Sequence, residues 1–122
     1  MGQHYRMVNL DKKQYLHPYK LGDGLKLLEF GTAGEGTMMA LAALLADGNG
    51  RGGGDLLSDH PLVGSWAGDR IVIAGDYADN GRFVDNSERN LYTEACEQFE
   101  DISDRIREVL EDAGEPLRTN WT

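Results

Sequence analysis

The sequence predicts an α+β fold, in which a mainly antiparallel or mixed sheet of about four or five strands packs against helices. Short runs rich in β-branched and aromatic residues alternate with turn residues, which is typical of strands. An apolar run at residues 38–46 predicts one short buried helix, because it is apolar on every side. Apolar residues at steps of three and four across residues 88–113 predict one long amphipathic C-terminal helix.

Three strands are predicted near the start of the chain. Residues 4–10 and 14–16 flank the polar turn Asp11-Lys12-Lys13, so we expect them to pair. The turn Gly22-Asp23-Gly24 comes next, and the run LKLLEF that follows it, residues 25–30, is expected to be the third strand.

Glycine is concentrated around the predicted buried helix, since eight of the sixteen glycines lie in residues 31–54. Thr37 is expected to be the N-cap of this helix, and Asp47-Gly48 is expected to end it. The first glycine cluster, residues 31–36, is expected to allow close packing where the chain enters the helix. The second cluster, residues 48–54, is expected to form an exposed loop without regular structure.

Residues 70–77 form the clearest predicted strand. The continuous apolar run Ile71-Val72-Ile73-Ala74 indicates a central strand that is buried on both faces. Asn80-Gly81 is a strong hairpin signal, and residues 82–84 are expected to return as the neighbouring strand.

The long helix is predicted to begin after Asn86-Ser87 and to end at Gly114. Its apolar stripe should face the core, and its acids should face solvent. We expect residues 1–116 to form a single α+β domain and residues 117–122 to form a loosely held tail.

Composition indicates a protein of the cytoplasm. The longest apolar run is too short to cross a bilayer, and the first residues contain no apolar signal-peptide region. The single cysteine, Cys96, excludes an internal disulfide and a cysteine-based zinc site, and its acidic neighbours argue against a reactive thiol. We therefore expect no membrane partner, no metal and no cofactor.

The formal net charge of −9 is unevenly distributed along the chain. The first 26 residues carry five bases and two acids, whereas residues 88–115 carry ten acids and three bases. This balance disfavours direct binding to nucleic acid. It favours a protein partner with a basic surface, and it equally fits simple solubility or a host with high internal salt. A homo-oligomer is left open.

The run LLEFGTAGEGTMM resembles the cofactor loop of class I methyltransferases, in which alternating glycines follow an acidic residue. A helix that begins after a glycine-rich turn suits phosphates and nucleotides. The register departs from that family, because Ala33 and Glu35 occupy positions that need glycine. The alternative is that the glycines only serve packing. The candidate ligand-binding residues are Gly31, Thr32, Gly34, Gly36 and Asp76.

The run IVIAGDYADNGRF resembles the GDxxDxG signature of calcineurin-like metallophosphoesterases, with Asp76 in the place of the metal-bridging aspartate. The resemblance implies a site for two metals. The rest of that pattern is missing, because Asp59 and His60 are adjacent and no histidine follows His60. The alternative is a hairpin in which Asp76 and Asp79 bond to turn N–H groups.

Three surfaces are candidates for binding a partner protein: the predicted hairpin, the loop around the first tryptophan and the acidic face of the long helix. Solvation alone is the alternative for the acidic face. The candidate residues are Trp66, Tyr77, Asp79, Arg82, Glu97, Glu100 and Asp104.

Four segments carry a wider resemblance: MGQHYRMVNLDKKQYL, LGDGLKLLEFG, GNGRGGGD and SWAGDRIVIAGDYAD. They are similar to segments of a group of short uncharacterised proteins from bacteria, archaea and their viruses, and the resemblance extends over about two thirds of the chain, from residue 1 to residue 79. The resemblance implies no activity and no catalytic residue. It implies that the loop after Gly48 varies in length.

The sequence therefore predicts a small, non-enzymatic protein of the cytoplasm that acts by binding, most directly by binding another protein. The alternative is a small nucleotide- or S-adenosylmethionine-binding enzyme that uses the loop at residues 31–36.

Overall fold

A mixed four-stranded sheet carries helices on both of its faces, in agreement with the predicted α+β class. The computed structural model describes residues 2–117. In chain order, its elements are β1 (Tyr5–Asn9), β2 (Gln14–Leu16), a 3₁₀ helix (Pro18–Leu21), α1 (Leu27–Gly31), α2 (Thr37–Leu45), β3 (Ile71–Gly75), α3 (Leu91–Gln98), β4 (Glu100–Asp101) and α4 (Ser103–Asp112).

The strands lie in the order β3-β1-β2-β4. β1 pairs antiparallel with β2, as the sequence predicts, and it also pairs antiparallel with β3. β4 completes the sheet by pairing parallel to β2, with Gln14 opposite Glu100. The sheet therefore combines strands from the beginning, the middle and the end of the described chain.

Alternate residues of β1 and β2 point to opposite faces of the sheet, as the strand period of two requires. Met7 and Leu16 are fully buried on the face covered by the 3₁₀ helix, α2 and α4. Val8 and Tyr15 are buried on the other face, where they pack against α3. Each face thus has its own apolar core.

The third predicted strand is wrong, because residues 25–30 lead into helix α1. A capping box fixes the start of this helix, in which the Lys26 N–H donates to Glu29 Oε1 at 3.1 Å. Phe30 is buried in the core, whereas Leu28 is 72% exposed. The acid three residues after the N-cap Lys26 was the signal that the strand prediction overlooked.

The predicted short helix is present as α2, and its surroundings differ from the prediction in two ways. Gly36, rather than Thr37, is the N-cap, and Thr37 is the first helical residue. The helix is buried on one side only, since Ala40 and Leu44 are inaccessible while Leu45 is exposed. An apolar helix surface is therefore partly open to solvent.

The predicted long helix is two helices joined by a strand. α3 ends at Gln98, and the chain then extends through β4 before α4 begins. The amides of Glu100 and Ile102 donate to the carbonyls of Lys13 and Tyr15 at 3.0 and 3.1 Å. Pairing with β2 satisfies the backbone here, so the continuous apolar stripe does not produce a continuous helix.

β3 is an edge strand, which corrects the prediction of a central strand buried on both faces. Ile73 is 42% exposed. The predicted returning strand at residues 82–84 is also wrong, because this segment forms turns and bends. The amide of Gly81 bonds to the carbonyl of Arg89 at 2.8 Å, so residues 81–89 close a loop that leads into α3.

The glycine-rich loop after α2 is exposed, as predicted, and it is held by its own hydrogen bonds. Asp55 Oδ2 accepts the amides of Gly50, Arg51 and Gly52 at 2.9–3.0 Å. These bonds lower the pKa of the Asp55 carboxyl. The second glycine cluster thus wraps a carboxylate of its own chain.

The core extends to the last described residue. Leu117, which was expected to begin a loose tail, is buried, and Arg107 Nη2 donates to its carbonyl at 3.2 Å. The remainder of the predicted tail, residues 118–122, lies outside the described residues. Across residues 2–117, none of the helices combines the length and the apolar character needed to traverse a bilayer.

Candidate functional site

The largest of the five cavities that we describe lies between the β1–β2 turn, the start of β3, the segment before α3 and α3 itself. Its volume of about 660 Å³ is within the range of ligand sites. We call it the Phe83 groove. Its lining residues are Leu10, Lys13, Arg70, Phe83, Val84, Asp85, Asn86, Glu94, Gln98 and Phe99.

Lys13 forms one wall of the Phe83 groove from the turn between β1 and β2. Asn9 Oδ1 accepts the amides of Asp11 and Lys12 at 2.9 and 2.8 Å, which tightens this turn. Lys13 adopts a positive φ of 54°, as a short hairpin connection requires. Its ammonium lies 5.2 Å from the centre of the Phe99 ring, so it covers an apolar part of the groove.

Phe83 forms the opposite wall and also has a positive φ, of 66°. For a bulky residue this conformation costs about 1–3 kcal/mol of backbone strain. Phe83 is not in the turn of a β-hairpin, where a positive φ is usual. The ring is 51% exposed, and the guanidinium of Arg82 lies 5.0 Å from its centre. Phe83 also lines a second cavity, of about 270 Å³, against β3. The backbone therefore holds an aromatic residue that contributes to two cavities.

The charged groups that line the groove differ in whether they have a partner of opposite charge. The Arg70 side chain donates two bonds to Asp11 at 2.7 and 2.9 Å, its amide donates a third, and these bonds lower the pKa of the Asp11 carboxyl. Among the described residues, neither Asp85 nor Glu94 has an ion-pair or side-chain hydrogen-bond partner. The groove therefore presents aromatic surface together with two unpaired carboxylates.

The lining of the groove restricts the chemistry that it supports. It contains no histidine, cysteine, serine or threonine, which are the usual nucleophiles and bases of acyl transfer. Across residues 2–117, no group of three or more histidine, cysteine, aspartate or glutamate side chains is placed to hold a metal ion. What the groove offers is contact area, a fixed aromatic ring and charge.

The predicted ligand loop, residues 31–36, lies at the start of α2. A carboxylate of the same chain already occupies this helix terminus, because Asp23 Oδ2 accepts the Thr37 amide at 2.7 Å. Asp23 is fully buried. A phosphate would have to displace this carboxylate or bind beside its negative charge. The geometry therefore gives the loop no support as a nucleotide site.

Of the predicted loop residues, Gly36 packs against Asp23, whereas a Cβ added to Gly31 or Gly34 would meet nothing within 4 Å. The Thr32 hydroxyl donates to the Leu28 carbonyl at 2.7 Å. Close packing at the helix entrance is thus confirmed for Gly36 and is absent at Gly31 and Gly34.

Asp76, the fifth predicted ligand-binding residue, has a different neighbourhood. Its Oδ1 accepts the amide of His4 at 2.9 Å, which ties the start of the chain to the end of β3. None of its described bonds joins it to the glycine loop.

The prediction that Trp66 contacts a partner is corrected by the structure. Trp66 is fully buried, and its Nε1 donates to Gln14 Oε1 at 2.9 Å. A turn-rich segment with a tryptophan resembles an exposed loop in sequence, but this indole is part of the core. It cannot contact a partner in the folded protein.

The predicted hairpin residues lie near the groove. Tyr77 is 62% exposed, and its amide donates to Gln3 Oε1 at 3.1 Å. Asp79 and Arg82 line the smaller cavity beside Phe83. The expected strand is missing, yet these side chains do share one exposed region.

The predicted acidic face is divided among three elements, because Glu97, Glu100 and Asp104 belong to α3, β4 and α4. Glu97 pairs with Arg89, and Glu100 pairs with Arg105 at 3.1 Å. All three acids are exposed. They form no single helix face of the kind that the sequence predicted.

A cluster of charged and aromatic groups lies beside α3, outside the groove. The guanidinium of Arg6 lies 5.1 Å from the ring centres of both Tyr15 and Tyr92. Burial and then Arg6 lower the pKa of His17 to about 4, against the opposing charge of Asp101. Desolvation raises the pKa of the nearby Cys96 thiol, so this cysteine is not an activated nucleophile.

No protein family, characterised protein or solved structure with which we compared the chain matches it.

Most of the groove was missed by sequence reasoning. The turn at residues 11–13 was recognised, but nothing in the sequence brings it next to residues 83–86 and α3. The hairpin signal at Asn80-Gly81 assigned Phe83 to a strand, where its ring would face one side of a sheet. Only Arg82, next to Phe83, was predicted as a contact residue.

Proposed function

We propose that this protein is a non-enzymatic interaction module that binds a polypeptide segment of a partner protein in the Phe83 groove. The observation that supports this function is Phe83 itself, an exposed aromatic residue that is kept in a left-handed backbone conformation and lines two cavities. Such strain persists where the surrounding structure over-determines it, and it is concentrated at binding sites.

The contacts within the groove favour a particular kind of segment. Phe83 and Phe99 offer aromatic surface for an apolar anchor residue of the partner. The cations Lys13 and Arg70 are engaged by Phe99 and Asp11, whereas the Glu94 carboxylate has no described partner. A segment that places lysine or arginine next to an aromatic or aliphatic residue would match both features.

The overall charge supports the same partner. A net charge of −9 attracts a basic segment over distances comparable to the Debye length, about 8 Å at physiological salt. Complementary charge of this kind mainly increases association rate and specificity. Binding should therefore weaken as salt is added.

The experiment is a selection of random peptides on the immobilised protein, followed by titration of the selected peptides with single variants. We expect an apolar residue flanked by a base in the selected peptides. Phe83→Ala should weaken binding at least about tenfold, and Glu94→Lys should weaken binding of basic peptides. Leu57→Ala is the matched control, because Leu57 is 84% exposed and outside the groove. Peptides whose binding is unchanged by Phe83→Ala would refute the proposal.

The small-molecule alternative makes a different prediction. Nucleotides, S-adenosylmethionine or divalent cations would raise the melting temperature if one of them bound the folded protein. We expect no stabilisation by these compounds. A rise in melting temperature that Gly34→Val abolishes would instead assign the function to the loop at residues 31–36.

A further inference from the structure

The outer edge of β3 carries backbone groups without partners in the described chain. At the two ends of the strand, the Arg70 carbonyl accepts the Leu10 amide and the Asp76 amide donates to the His4 carbonyl, both at 2.9 Å, and Leu10 and His4 flank β1. Because bonding alternates along an antiparallel strand, Ile71, Ile73 and Gly75 direct their N–H and C=O groups outwards, and of these the Gly75 carbonyl accepts the Ala78 amide at 3.2 Å. Within the described chain, no hydrogen bond reaches Ile71 or Ile73 from that side.

This edge lacks three of the features that usually prevent strand addition, and the segment of residues 78–83 lies beside it across a cavity of about 270 Å³. Edge strands are commonly protected by lysine, by proline or by a bulge. β3 has the sequence IVIAG and a continuous register with β1, so it has none of the three. Ile73, at its centre, is 42% exposed. The edge is therefore suited to pairing with another strand.

We propose that a second copy of this chain occupies the edge, with the two β3 strands antiparallel about a two-fold axis at Ile73. Pairing Ile73 with itself places Arg70 opposite Asp76 of the partner subunit. The symmetry repeats this pair at the other end of the interface. The two four-stranded sheets would thus become one sheet of eight strands.

The charged residues favour this register over the two registers next to it. If one β3 strand slides by two residues along the other, either Arg70 lies opposite Ala74 of the partner subunit or Asp76 lies opposite Val72 of the partner subunit, depending on the direction. Both shifts remove the two ion pairs. The Arg70 side chain is 72% exposed, and its guanidinium is bonded to Asp11 of its own chain, so in the dimer it would be shared between Asp11 and Asp76 of the partner subunit.

The middle of the interface is apolar. In the proposed register Val72 lies opposite Ala74 on one face, and the two Ile73 side chains meet on the other. Cross-strand pairs of β-branched residues stabilise antiparallel sheets. Apolar contacts would thus form the centre, with charged pairs at the rim, as in stable protein interfaces.

The proposal goes beyond the peptide groove and is tested by sedimentation equilibrium over a range of concentrations. We expect a monomer–dimer equilibrium. Arg70→Asp and Asp76→Arg should each weaken dimerisation about tenfold or more, since each places like charges opposite one another twice. The double variant should recover dimerisation to within about threefold of the wild type, because it exchanges the signs in both pairs. Arg105→Asp, which changes the charge equally on α4, is the control.

Recovery by the double variant would show that Arg70→Asp weakens dimerisation through the interface between the subunits. Loss of the bond to Asp11 within one chain would not explain it, because Asp76→Arg does not restore that bond. Ile73→Lys should abolish the dimer while circular dichroism remains unchanged. Amide exchange at Ile71 and Ile73 should slow as the concentration rises. A protein that is monomeric at every concentration, or a dimer insensitive to Arg70→Asp and Ile73→Lys, overturns the proposal. Failure of the double variant to recover overturns the register.

Discussion

Gly36 shows how a single hydrogen atom in place of a side chain allows a buried carboxylate to cap a helix. A Cβ at this position would lie 2.7 Å from Asp23 Cγ, a separation that real Cβ atoms essentially never show. Two residues earlier, a Cβ on Gly34 would have nothing within 4 Å. The two glycines look equivalent in the sequence, and only one of them is required by packing.

We therefore predict that Gly36→Ala lowers the free energy of unfolding by about 1–3 kcal/mol, because Asp23 must move away from the Thr37 amide while remaining buried. Gly34→Ala should change it by no more than about 0.5 kcal/mol. Urea denaturation measures both values. Equal effects of the two substitutions would contradict this account of the glycine cluster.

His17 makes stability depend on pH. Its folded-state pKa of about 4 lies below the ordinary value of 6.5, chiefly because of burial and the neighbouring Arg6. Between these two values the unfolded chain binds a proton that the folded protein does not bind. The free energy of unfolding should therefore fall as the pH decreases from about 6.5 towards 4.

The measurement is urea denaturation at a series of pH values. His17→Gln should reduce the pH dependence in this window, because it removes the buried imidazole whose pKa is lowered. An identical pH dependence in wild type and His17→Gln would exclude His17 as the cause.

Individual residues were predictable from the sequence where their local chemistry decides their position. Thr37 and Gly36 were correctly placed at the start of a helix, within one position. Trp66 was placed on the surface because its neighbours resemble a loop. In the core, its indole N–H is satisfied by Gln14, 52 residues away. No local pattern contains that contact.

One arginine of α4 bonds to two other segments of the chain, the 3₁₀ helix and the segment that follows α4. Arg107 Nη1 donates to the Lys20 carbonyl at 2.7 Å, and Nη2 donates to the Leu117 carbonyl at 3.2 Å. The planar guanidinium can reach both carbonyls at once. On the same helix, Arg105 forms an exposed ion pair with Glu100.

We predict that Arg107→Ala lowers the free energy of unfolding by about 1–3 kcal/mol, because two partly buried carbonyls lose their donors. Arg105→Ala should cost less than about 1 kcal/mol, as is usual for exposed ion pairs. Thermal or urea denaturation separates the two variants. A larger loss for Arg105→Ala would show that the ion pair, rather than the carbonyl contacts, fastens the helix.

Helices and strands were predicted correctly where the pattern and the long-range contacts agree. β1, β2 and α2 lie within one or two residues of the predicted positions. The helix predicted at residues 88–113 is interrupted because β2 offers hydrogen bonds to residues 100–102. α1 was assigned as a strand because short apolar runs fit either state, and its capping box was not weighed.

The whole molecule carries a large excess of acids, with 21 acidic and 12 basic side chains. The described ion pairs are mostly exposed, and each pair of this type contributes about 0.2–1 kcal/mol or less. Repulsion among the remaining acids acts over the entire surface. We expect this repulsion to exceed the attraction at low ionic strength.

Raising sodium chloride from about 0.02 M to about 0.2 M should therefore stabilise the fold, since the Debye length shortens from about 20 Å to below 10 Å. The gain should be comparable to one surface ion pair, about 0.2–1 kcal/mol. The midpoint of urea denaturation is the measurement. A midpoint that falls with salt would mean that the ion pairs outweigh the repulsion.

At the level of the molecule, composition predicted the α+β class but not the position of β3 or the Phe83 groove. β3 is as apolar as a central strand, so its place at the edge follows only from the topology. The groove joins the β1–β2 turn, residues 83–86 and α3. Local patterns describe each of these three pieces without indicating that they meet.

β4 also determines when the sheet can be completed during synthesis. Gln14 bonds to Glu100, 86 residues further along the chain, and β4 is the only strand that covers the outer edge of β2 within residues 2–117. The hairpin of β1 and β2 leaves the ribosome early, and β2 must then wait for nearly the whole described chain before its edge is closed. During that interval the nascent hairpin is open to chaperones and to other chains, so ribosome-bound intermediates of this protein are expected to be its most aggregation-prone forms.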